Sequence, residues 1–336
     1  MSGADGRLAI LGGGAWGTAL ACVARRTGRP VRLWGRNAEA AAAINAGRGN
    51  PDYLPDIDLP KGIEATTDLA HALDGAAAAL IVVPAQAVRD AAGAMAPHVP
   101  DGLPVALCAK GVERESFKLM TEVAAEALPQ ARLAVLSGPT FAAEVARGLP
   151  TAVTLAAADR AAAQILRAAL ASERFRPYLS DDPVGAEVAG AAKNVIAIAC
   201  GVAWGLGLGE NARAALLTRG LAEIGRIARA LGGDPRTMAG LAGLGDLTLT
   251  AGSRTSRNTS FGYELGRGAQ AQAVLGGRRG VTEGFWTAQA IVGLAERAGV
   301  EDLPIIRAVA DVLAGRITTG EAMQDLLSRP VGEEGL

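Results

Sequence analysis

A lysine and an asparagine stand side by side in an otherwise apolar stretch, VAGAAKNVIAIAC, as Lys193 and Asn194. On a helix through this stretch, Lys193 has little polar surface nearby to solvate its ammonium group. Burial disfavours the charged form and lowers the pKa of a lysine from about 10.4, so the side chain can exchange a proton near neutral pH. Lys193 is therefore a candidate general acid and base. The alternative is a lysine at the helix margin whose ammonium reaches solvent.

Other groups suited to proton transfer are scarce. The two histidines, His71 and His98, have no plausible acid partner beside them, and only four of the 33 basic residues are lysines. Three scattered cysteines, Cys22, Cys108 and Cys200, show no CxxC spacing. This pattern predicts no metal site and no disulfide framework, and it favours reduced cysteines in a cytoplasmic protein.

Glycines at the start of the chain predict a dinucleotide site. Gly12, Gly14 and Gly17 form G-x-G-x-x-G between a predicted strand and a predicted helix. The first glycine permits the tight turn, the second lets the backbone approach a pyrophosphate, and the third allows close packing of helix on strand. The helix N-terminus then faces the anion.

The end of the second predicted strand indicates which dinucleotide binds. That strand ends in VRLWGRN, with Arg36 and Asn37 where NAD-preferring sites carry an acid, and the first acid is Glu39. An arginine here accommodates a 2′-phosphate. We therefore expect NADP(H) to be favoured, with NAD(H) possible; the alternative is that Arg36 is an ordinary solvated residue.

Two later strand ends carry further candidates. Lys110 directly follows the predicted strand Val105–Ala109, and the loop Ser137–Thr140 follows Leu133–Leu136. Ligands of parallel sheets bind beyond the carboxyl ends of the strands, so both positions suit a substrate. Lys110 could instead be a surface lysine that terminates a strand.

A third group lies in LAGLGDLTLTAGSRTSRN. We expect Asp246 in a glycine-rich turn, and Ser256, Arg257 and Asn258 just before a helix. A guanidinium, a hydroxyl and an amide at a helix start suit a phosphate or a polyol. Taken alone, three such residues more often form an ordinary polar loop.

The elements that must position these residues change character along the chain. Strands and helices alternate up to about residue 180, which predicts a mostly parallel, doubly wound sheet, and helices alone follow. We therefore predict an α/β domain at residues 1–180 and an all-α domain at 181–336. The Pro- and Gly-rich segment Gly47–Gly62 is predicted to be a long surface loop.

Composition limits the kind of partner. The 336 residues carry a formal net charge of -1, with 33 basic and 34 acidic residues and no long block of one sign. This argues against nucleic-acid binding. Neither a signal peptide nor an uninterrupted apolar run of membrane-spanning length is found, so we expect a cytoplasmic protein with a small-molecule substrate.

Together these motifs resemble the bacterial type of NAD(P)-dependent glycerol-3-phosphate dehydrogenase. The resemblance also rests on Leu-Trp-Gly-Arg, Asn-Pro-Asp-Tyr-Leu-Pro, Ala-Lys-Gly, Ser-Gly-Pro-Thr-Phe-Ala and Lys-Asn-Val-Ile-Ala, in family order from about residue 8 to residue 325. It implies a Rossmann-like N-terminal domain, an all-helical C-terminal domain, and commonly a homodimer. It also implies reversible reduction of dihydroxyacetone phosphate to sn-glycerol 3-phosphate, which feeds glycerophospholipid biosynthesis.

The resemblance also implies roles for individual residues. Lys193 matches the catalytic proton-transfer lysine, and Lys110 matches a lysine that contacts cofactor and substrate. The other substrate positions are Gly138, Thr140, Asp246, Ser256, Arg257 and Asn258, together with Lys193 itself. The other cofactor positions are Gly12, Gly14, Ala15, Trp16, Gly17, Arg36, Ala142, Arg257, Val281 and Glu283. Ala15 stands where many members have serine, and Thr282 replaces a frequent valine.

These observations lead to a mechanistic hypothesis. Lys193 as ammonium donates the proton to the developing alkoxide, and neutral Lys193 is the base in the reverse direction. Asn194 and Asp246 are expected to orient this lysine and the substrate hydroxyls. Two alternatives are a 3-hydroxyacid or 6-phosphogluconate type dehydrogenase, which typically spaces its lysine and asparagine four residues apart, and a catalytically silent NADP-binding regulator.

Overall fold

The computed structural model describes residues 6–277 and 281–330. The chain divides into two compact units. The first comprises residues 1–109 and 120–183, and the second comprises 110–119 and 184–336. The segment 110–119, which begins with Lys110, thus groups with the helical unit although it lies within the α/β part of the sequence. The sequence did not predict this grouping of residues 110–119. The predicted domain boundary between residues 180 and 181 stays a prediction.

The first unit is an eight-stranded sheet with helices. The strands are β1 (Arg7–Leu11), β2 (Val31–Trp34), β3 (Ile63–Thr66), β4 (Ala76–Ile81), β5 (Pro104–Leu107), β6 (Arg132–Ser137), β7 (Thr151–Ala156) and β8 (Phe175–Ser180). The helices are α1 (Ala15–Arg26), α2 (Ala38–Asn45), α3 (Leu69–Leu73), α4 (Val88–Met95), α5 (Met120–Ala127), α6 (Ala142–Arg147) and α7 (Arg160–Leu170).

The sheet confirms the predicted fold class. Its strand order is β3-β2-β1-β4-β5-β6-β7-β8, and every pair is parallel except β6 with β7. Leu8 and Ile10 of β1 point into one hydrophobic cluster, whereas Ala9 and Leu11 point into another. Both faces are therefore covered, as parallel sheets require. The chain reverses direction across the sheet at β1 and β4, so the carboxyl end of β1 lies at the switch point where ligands bind.

The second unit is helical. Its helices are α8 (Pro183–Gly205), α9 (Gly209–Ala230), α10 (Asp246–Gly252), α11 (Arg257–Gly266), α12 (Ala271–Gly276), α13 (Glu283–Arg297), α14 (Pro304–Leu313) and α15 (Thr319–Ser328). Every residue from 185 to 201 of α8 is buried, because this helix is apolar on all sides. By length and hydropathy α8 could cross a membrane, but 83% of its most apolar window is buried inside the structure.

Glycines let α8 and α11 pack backbone against backbone. A methyl group added at Gly201 would collide with the carbonyl oxygen of Thr259, and one added at Gly262 would collide with that of Ile198. Only glycine permits so close an approach. This packing brings the start of α11 beside the middle of α8, where Lys193 and Asn194 lie.

One local expectation is wrong. Asp246 does not lie in a glycine-rich turn but is the first residue of α10. The preceding residues, Leu241–Gly245, form a single π-helical turn that runs directly into α10. The glycines signalled a loop, yet Gly243 serves close packing against the backbone of Met238. π-Helical turns of this kind occur frequently at functional sites.

Candidate active site

Lys193 is buried in α8, and its ammonium group has two hydrogen-bond acceptors. Its side chain is 7% exposed. Nζ donates to Oδ1 of Asp246 at 2.6 Å and to Oγ1 of Thr250 at 2.7 Å. Asp246 and Thr250 lie four residues apart on α10, so they share one face of that helix. The alternative of a lysine that reaches solvent is therefore wrong.

A single carboxylate joins two lysines. Lys110 donates from Nζ to Oδ2 of Asp246 at 2.6 Å, so each carboxylate oxygen of Asp246 holds one ammonium group. Asp246 is 1% exposed, and the side chain of Lys110 is 17% exposed. The cluster carries one net positive charge in a largely dry environment, where electrostatic interactions are stronger than in water.

The surroundings of Lys193 tune its basicity. Burial is the main cause that lowers the pKa of its ammonium group; Asp246 opposes this effect and the positive charge of Lys110 adds to it, and together they bring the pKa to about 8. The direction and the leading cause confirm the expectation from the sequence. At neutral pH Lys193 is mostly protonated, and a proton can leave at moderate cost.

Two asparagines connect this cluster to α13. Asn194 donates from Nδ2 to the carbonyl oxygen of Lys110 at 3.3 Å, and Asn258 donates to Oδ1 of Asn194 at 2.9 Å. The backbone N–H of Gly284 in turn donates to Oδ1 of Asn258 at 2.9 Å. The expectation that Asn194 orients Lys193 is wrong, because its amide holds the backbone of Lys110 instead.

The residues that are predicted to bind a phosphate lie at the N-terminus of α11. Ser256 is the N-cap, and its Oγ accepts the N–H of Thr259 at 3.3 Å. Ser256 and Asn258 are buried, while Arg257 is exposed. Ser256 and Asn258 thus have structural hydrogen bonds in addition to the substrate contacts that the sequence predicts. Val281 and Glu283 are half-buried at the start of α13.

In the first unit, the loop after β1 leaves open space beside Gly14. Gly14 is the N-cap of α1 without a side-chain hydrogen bond, and a methyl group placed on it would meet no atom within 4 Å. Gly12 has a φ of +132° and leaves no space for a side chain beside Val82. The indole Nε1 of Trp16 is buried without a partner among the described residues. Free helix N–H groups and an unpaired donor fit an anionic dinucleotide.

Asn50 supports this loop from the Asn-Pro-Asp-Tyr-Leu-Pro segment. It is fully buried, and its Nδ2 donates to the carbonyl oxygen of Gly13 at 3.0 Å and to Oγ1 of Thr18 at 2.8 Å. Part of the segment predicted as a surface loop is therefore anchored in the core. The Asn-Pro-Asp-Tyr-Leu-Pro motif already contained Asn50, but the many Pro and Gly residues of the segment indicated only a surface loop.

The end of β6 and the loop after it contain Gly138, which leaves no space for a side chain, and the hydroxyl groups of Ser137 and Thr140. Gly138 has a φ of +147°, and a methyl group on it would lie 2.9 Å from Cα of Val153. Thr140 donates from Oγ1 to the carbonyl oxygen of Gly138 at 3.2 Å. Ser137 is buried, and its hydroxyl has no partner in the part of the chain that the structure describes. Ala142, the first residue of α6, is half-buried.

Arg36 is exposed two residues after the end of β2. Asn37 is occupied as the N-cap of α2, where its Oδ1 accepts the N–H groups of Glu39 and Ala40. Across residues 6–277 and 281–330 we find no group of three or more histidine, cysteine or acidic side chains that could hold a metal ion.

Comparison with known proteins agrees with this geometry. The family described as NAD-dependent glycerol-3-phosphate dehydrogenase matches with its N-terminal part at residues 7–163 and its C-terminal part at 182–324. The chain belongs to this family. Relatives named glycerol-3-phosphate dehydrogenase [NAD(P)+] are 58% identical in Rhodospirillum rubrum, covering 98% of this chain and 94% of the relative, and 52% identical in Caulobacter vibrioides, covering 98% of both.

A solved structure extends the family match to the fold. The glycerol-3-phosphate dehydrogenase of Coxiella burnetii superimposes with a TM-score of 0.92 at 40% identity and covers 97% of this chain and 100% of its own. The dehydrogenase family is thus shown by sequence and by structure, and the resemblance stated from the motifs is confirmed.

The predicted residues of this dehydrogenase fall into two groups. Within the second unit the structure joins Lys110, Lys193 and Asp246 directly, and Asn258 through Asn194. Within the first unit it gathers Gly12, Gly14 and Trp16 around the start of α1. Thr250 was missed, although its position four residues after Asp246 on a helix could have indicated it.

Proposed function

We propose that this protein catalyses the reversible reduction of dihydroxyacetone phosphate to sn-glycerol 3-phosphate with NAD(P)H, and that it thereby feeds glycerophospholipid biosynthesis. One observation carries the proposal: a buried lysine with a lowered pKa shares a carboxylate with a second lysine. Such a pair offers a proton donor and a fixed positive charge to a ketone that becomes an alkoxide. Membership of the dehydrogenase family supports the substrate.

In this mechanism Lys193 moves the proton. When bound, NAD(P)H supplies the hydride that adds to the ketone carbon. The ammonium group of Lys193 donates its proton to the carbonyl oxygen as negative charge develops there, and neutral Lys193 accepts the proton in the reverse reaction. Asp246 and Thr250 hold Nζ in place, so little reorganisation is needed. Lys110 contributes a positive charge that stabilises the substrate and the developing oxyanion.

The phosphate is assigned to the N-terminus of α11. Arg257 provides a guanidinium group there, which can donate bidentate hydrogen bonds to a phosphate. Ser256 and Asn258 contribute polar atoms beside it, and Gly138 and Thr140 are proposed as further substrate contacts. The proposed cofactor contacts are Gly12, Gly14, Ala15, Trp16, Gly17, Arg36, Lys110, Ala142, Arg257, Val281 and Glu283.

One assay tests the reaction. Oxidation of NADPH is followed with dihydroxyacetone phosphate and with a panel of other oxo acids and sugar phosphates. We expect dihydroxyacetone phosphate to give the highest kcat/KM. Lys193→Met should lower kcat by at least about 10³-fold and leave NADPH affinity near normal. If the variant keeps more than a tenth of the turnover, Lys193 is not the proton donor.

We propose NADP(H) as the favoured cofactor. Arg36 is exposed just beyond the end of β2, and no acid stands there to bind a ribose 2′-hydroxyl. Arg36→Ala should weaken NADPH affinity roughly tenfold and leave NADH affinity unchanged, because only NADPH carries the 2′-phosphate. Equal loss for both cofactors would contradict this role.

We also propose a cytoplasmic homodimer. The three cysteines are free and buried, as expected in a reducing compartment. The dimer rests on the family resemblance, and sedimentation should give twice the 34.0 kDa chain mass.

A further inference from the structure

The segment 110–119, here called the Lys110 hairpin, packs against one face of α13. Within the hairpin Val112 bridges to Leu119, and Phe117 donates its N–H to the carbonyl oxygen of Glu113 at 3.0 Å. Three of its residues reach α13. Arg114 lies over the ring of Trp286 at 4.9 Å, the ring of Phe117 packs on Gly293, and Arg297 donates to the carbonyl oxygen of Ser116 at 3.1 Å. Positions 286, 293 and 297 are seven and four apart, which is the spacing of one helix face.

Phe117 occupies an unfavourable backbone conformation. Its φ is +55°, in the left-handed region that favours glycine. Such strain persists only where the surroundings hold it. Here the surroundings include Gly293, because a methyl group at that position would lie 2.7 Å from Cδ1 and Cε1 of the Phe117 ring. Phe117 thus stands at a backbone position that favours glycine. Its ring packs on Gly293, which lies inside a helix, where glycine is less favourable than a larger residue.

We propose that Phe117 and Gly293 form a lock that positions Lys110, so Phe117 is a positioning residue for the active site. The inference rests on the proposed function, which assigns Lys110 to the substrate. α13 also reaches the start of the hairpin, because its first turn connects through Gly284, Asn258 and Asn194 to the carbonyl of Lys110. The helix therefore contacts residues 114–117 of the hairpin directly and is linked to Lys110 through the two asparagines.

The lock has a consequence beyond stability. If the ring is displaced, Lys110 loses its fixed place on Asp246, and the substrate loses a positively charged partner. Lys193 also loses a neighbouring positive charge, which raises the pKa of its ammonium group. A purely structural contact would change the melting temperature without moving the pH profile.

The test introduces a methyl group at the lock. Gly293→Ala should raise KM for dihydroxyacetone phosphate roughly tenfold and change kcat at the optimum by less than about threefold. It should also move the alkaline limb of the kcat/KM profile to higher pH. The matched control is Gly225→Ala on α9, where the methyl group would meet Met238 at an ordinary 3.6 Å. The control should match the wild type in KM and pH profile. An unchanged KM and pH profile in Gly293→Ala would overturn the lock.

A second variant distinguishes loss of the Phe117–Gly293 contact from loss of the fold. Phe117→Gly relieves the backbone strain but removes the ring, so it should keep the fold and raise KM like Gly293→Ala. The double variant should be no worse than Phe117→Gly, because the methyl group added on α13 then has no ring to strike. Additive losses in the double variant would contradict the lock.

Failure of the lock is distinguishable from failure of the proposed function. Lys110→Met should raise KM more than either lock variant. If Lys110→Met has no effect, the role of Lys110 in the proposed function is wrong. If it has the expected effect and Gly293→Ala has none, only the lock is wrong.

Discussion

At the scale of single residues, the proposed mechanism makes activity depend on the protonation state of Lys193. In the proposed mechanism reduction of the ketone needs the ammonium form, so kcat/KM in this direction should fall as pH rises through about 8, the pKa of Lys193 in the free protein. The reverse reaction needs the neutral amine and should gain activity over the same interval. Steady-state rates in both directions on either side of this pH measure the effect, and two limbs centred far from pH 8 would contradict it.

The two neighbours of Lys193 should move that profile in opposite directions. Lys110→Met removes a positive charge that lowers the pKa of Lys193, so the alkaline limb of the reduction should shift upward. Asp246→Asn removes the charge that raises this pKa, so the limb should shift downward. Parallel shifts in the two variants would rule out this electrostatic assignment.

Thr250 has a geometric role beside them. Thr250→Val keeps the shape but removes the acceptor at 2.7 Å from Nζ of Lys193, so kcat should fall about 10- to 100-fold. Thr250→Ser keeps the hydroxyl and should retain most of the activity. Stopped-flow measurement of the first turnover separates this effect from product release.

At the scale of elements, one side chain from α9 caps another helix. Glu223 is 1% exposed, and its two carboxylate oxygens accept the N–H groups of Ile305 and Ile306 at 2.8 and 2.9 Å. The N-cap residue of α14, Leu303, provides no side-chain acceptor itself. Glu223 therefore fixes the start of α14 from a distance.

Removing this cap should destabilise the second unit. Glu223→Ala leaves two buried N–H groups unpaired and should lower the free energy of unfolding by about 2–4 kcal/mol. Glu210→Ala, on the exposed first turn of α9, is the control and should cost less than about 0.5 kcal/mol. Urea unfolding measures both, and similar values would contradict the cap.

Helices and strands were predictable where the hydrophobic periodicity and the residues that mark the ends of an element agree. The strand predicted at Leu133–Leu136 lies within the observed β6, Arg132–Ser137. β3 was missed because it is a four-residue strand with only two buried side chains. α10 was missed because the glycines before Asp246 indicated a turn.

The site was predictable in its residue types but not in its contacts. An isolated lysine in an apolar helix indicated a tuned group, and burial confirms this. The partners of Lys193 lie 53 and 57 residues away, and Asn50 reaches a loop 37 residues before it. Periodicity carries no information on such distant pairs, and for this reason Asn194 was given the wrong partner.

At the scale of the whole molecule, charge is nearly balanced. With 33 basic and 34 acidic residues the protein has no strong net field, so attraction of a phosphate substrate depends on the local positive cluster. Raising NaCl from about 50 to about 500 mM should therefore lower kcat/KM by only about two- to fivefold, because short-range pairs are weakly screened. A fall of more than about 30-fold would instead reveal long-range steering.

Burial beside the positive charge of Lys110 also makes the amine of Lys193 chemically distinct. A lysine whose pKa is about 8 holds far more free amine at neutral pH than an ordinary lysine, and this chain has only four lysines. Among the four lysines, an aldehyde that bears a phosphate, such as pyridoxal 5′-phosphate, should condense first with Lys193, and borohydride reduction should fix the label there for peptide mapping. Excess sn-glycerol 3-phosphate should protect the amine. Lys193, the proposed proton donor, is thus also expected to be a target for selective covalent modification.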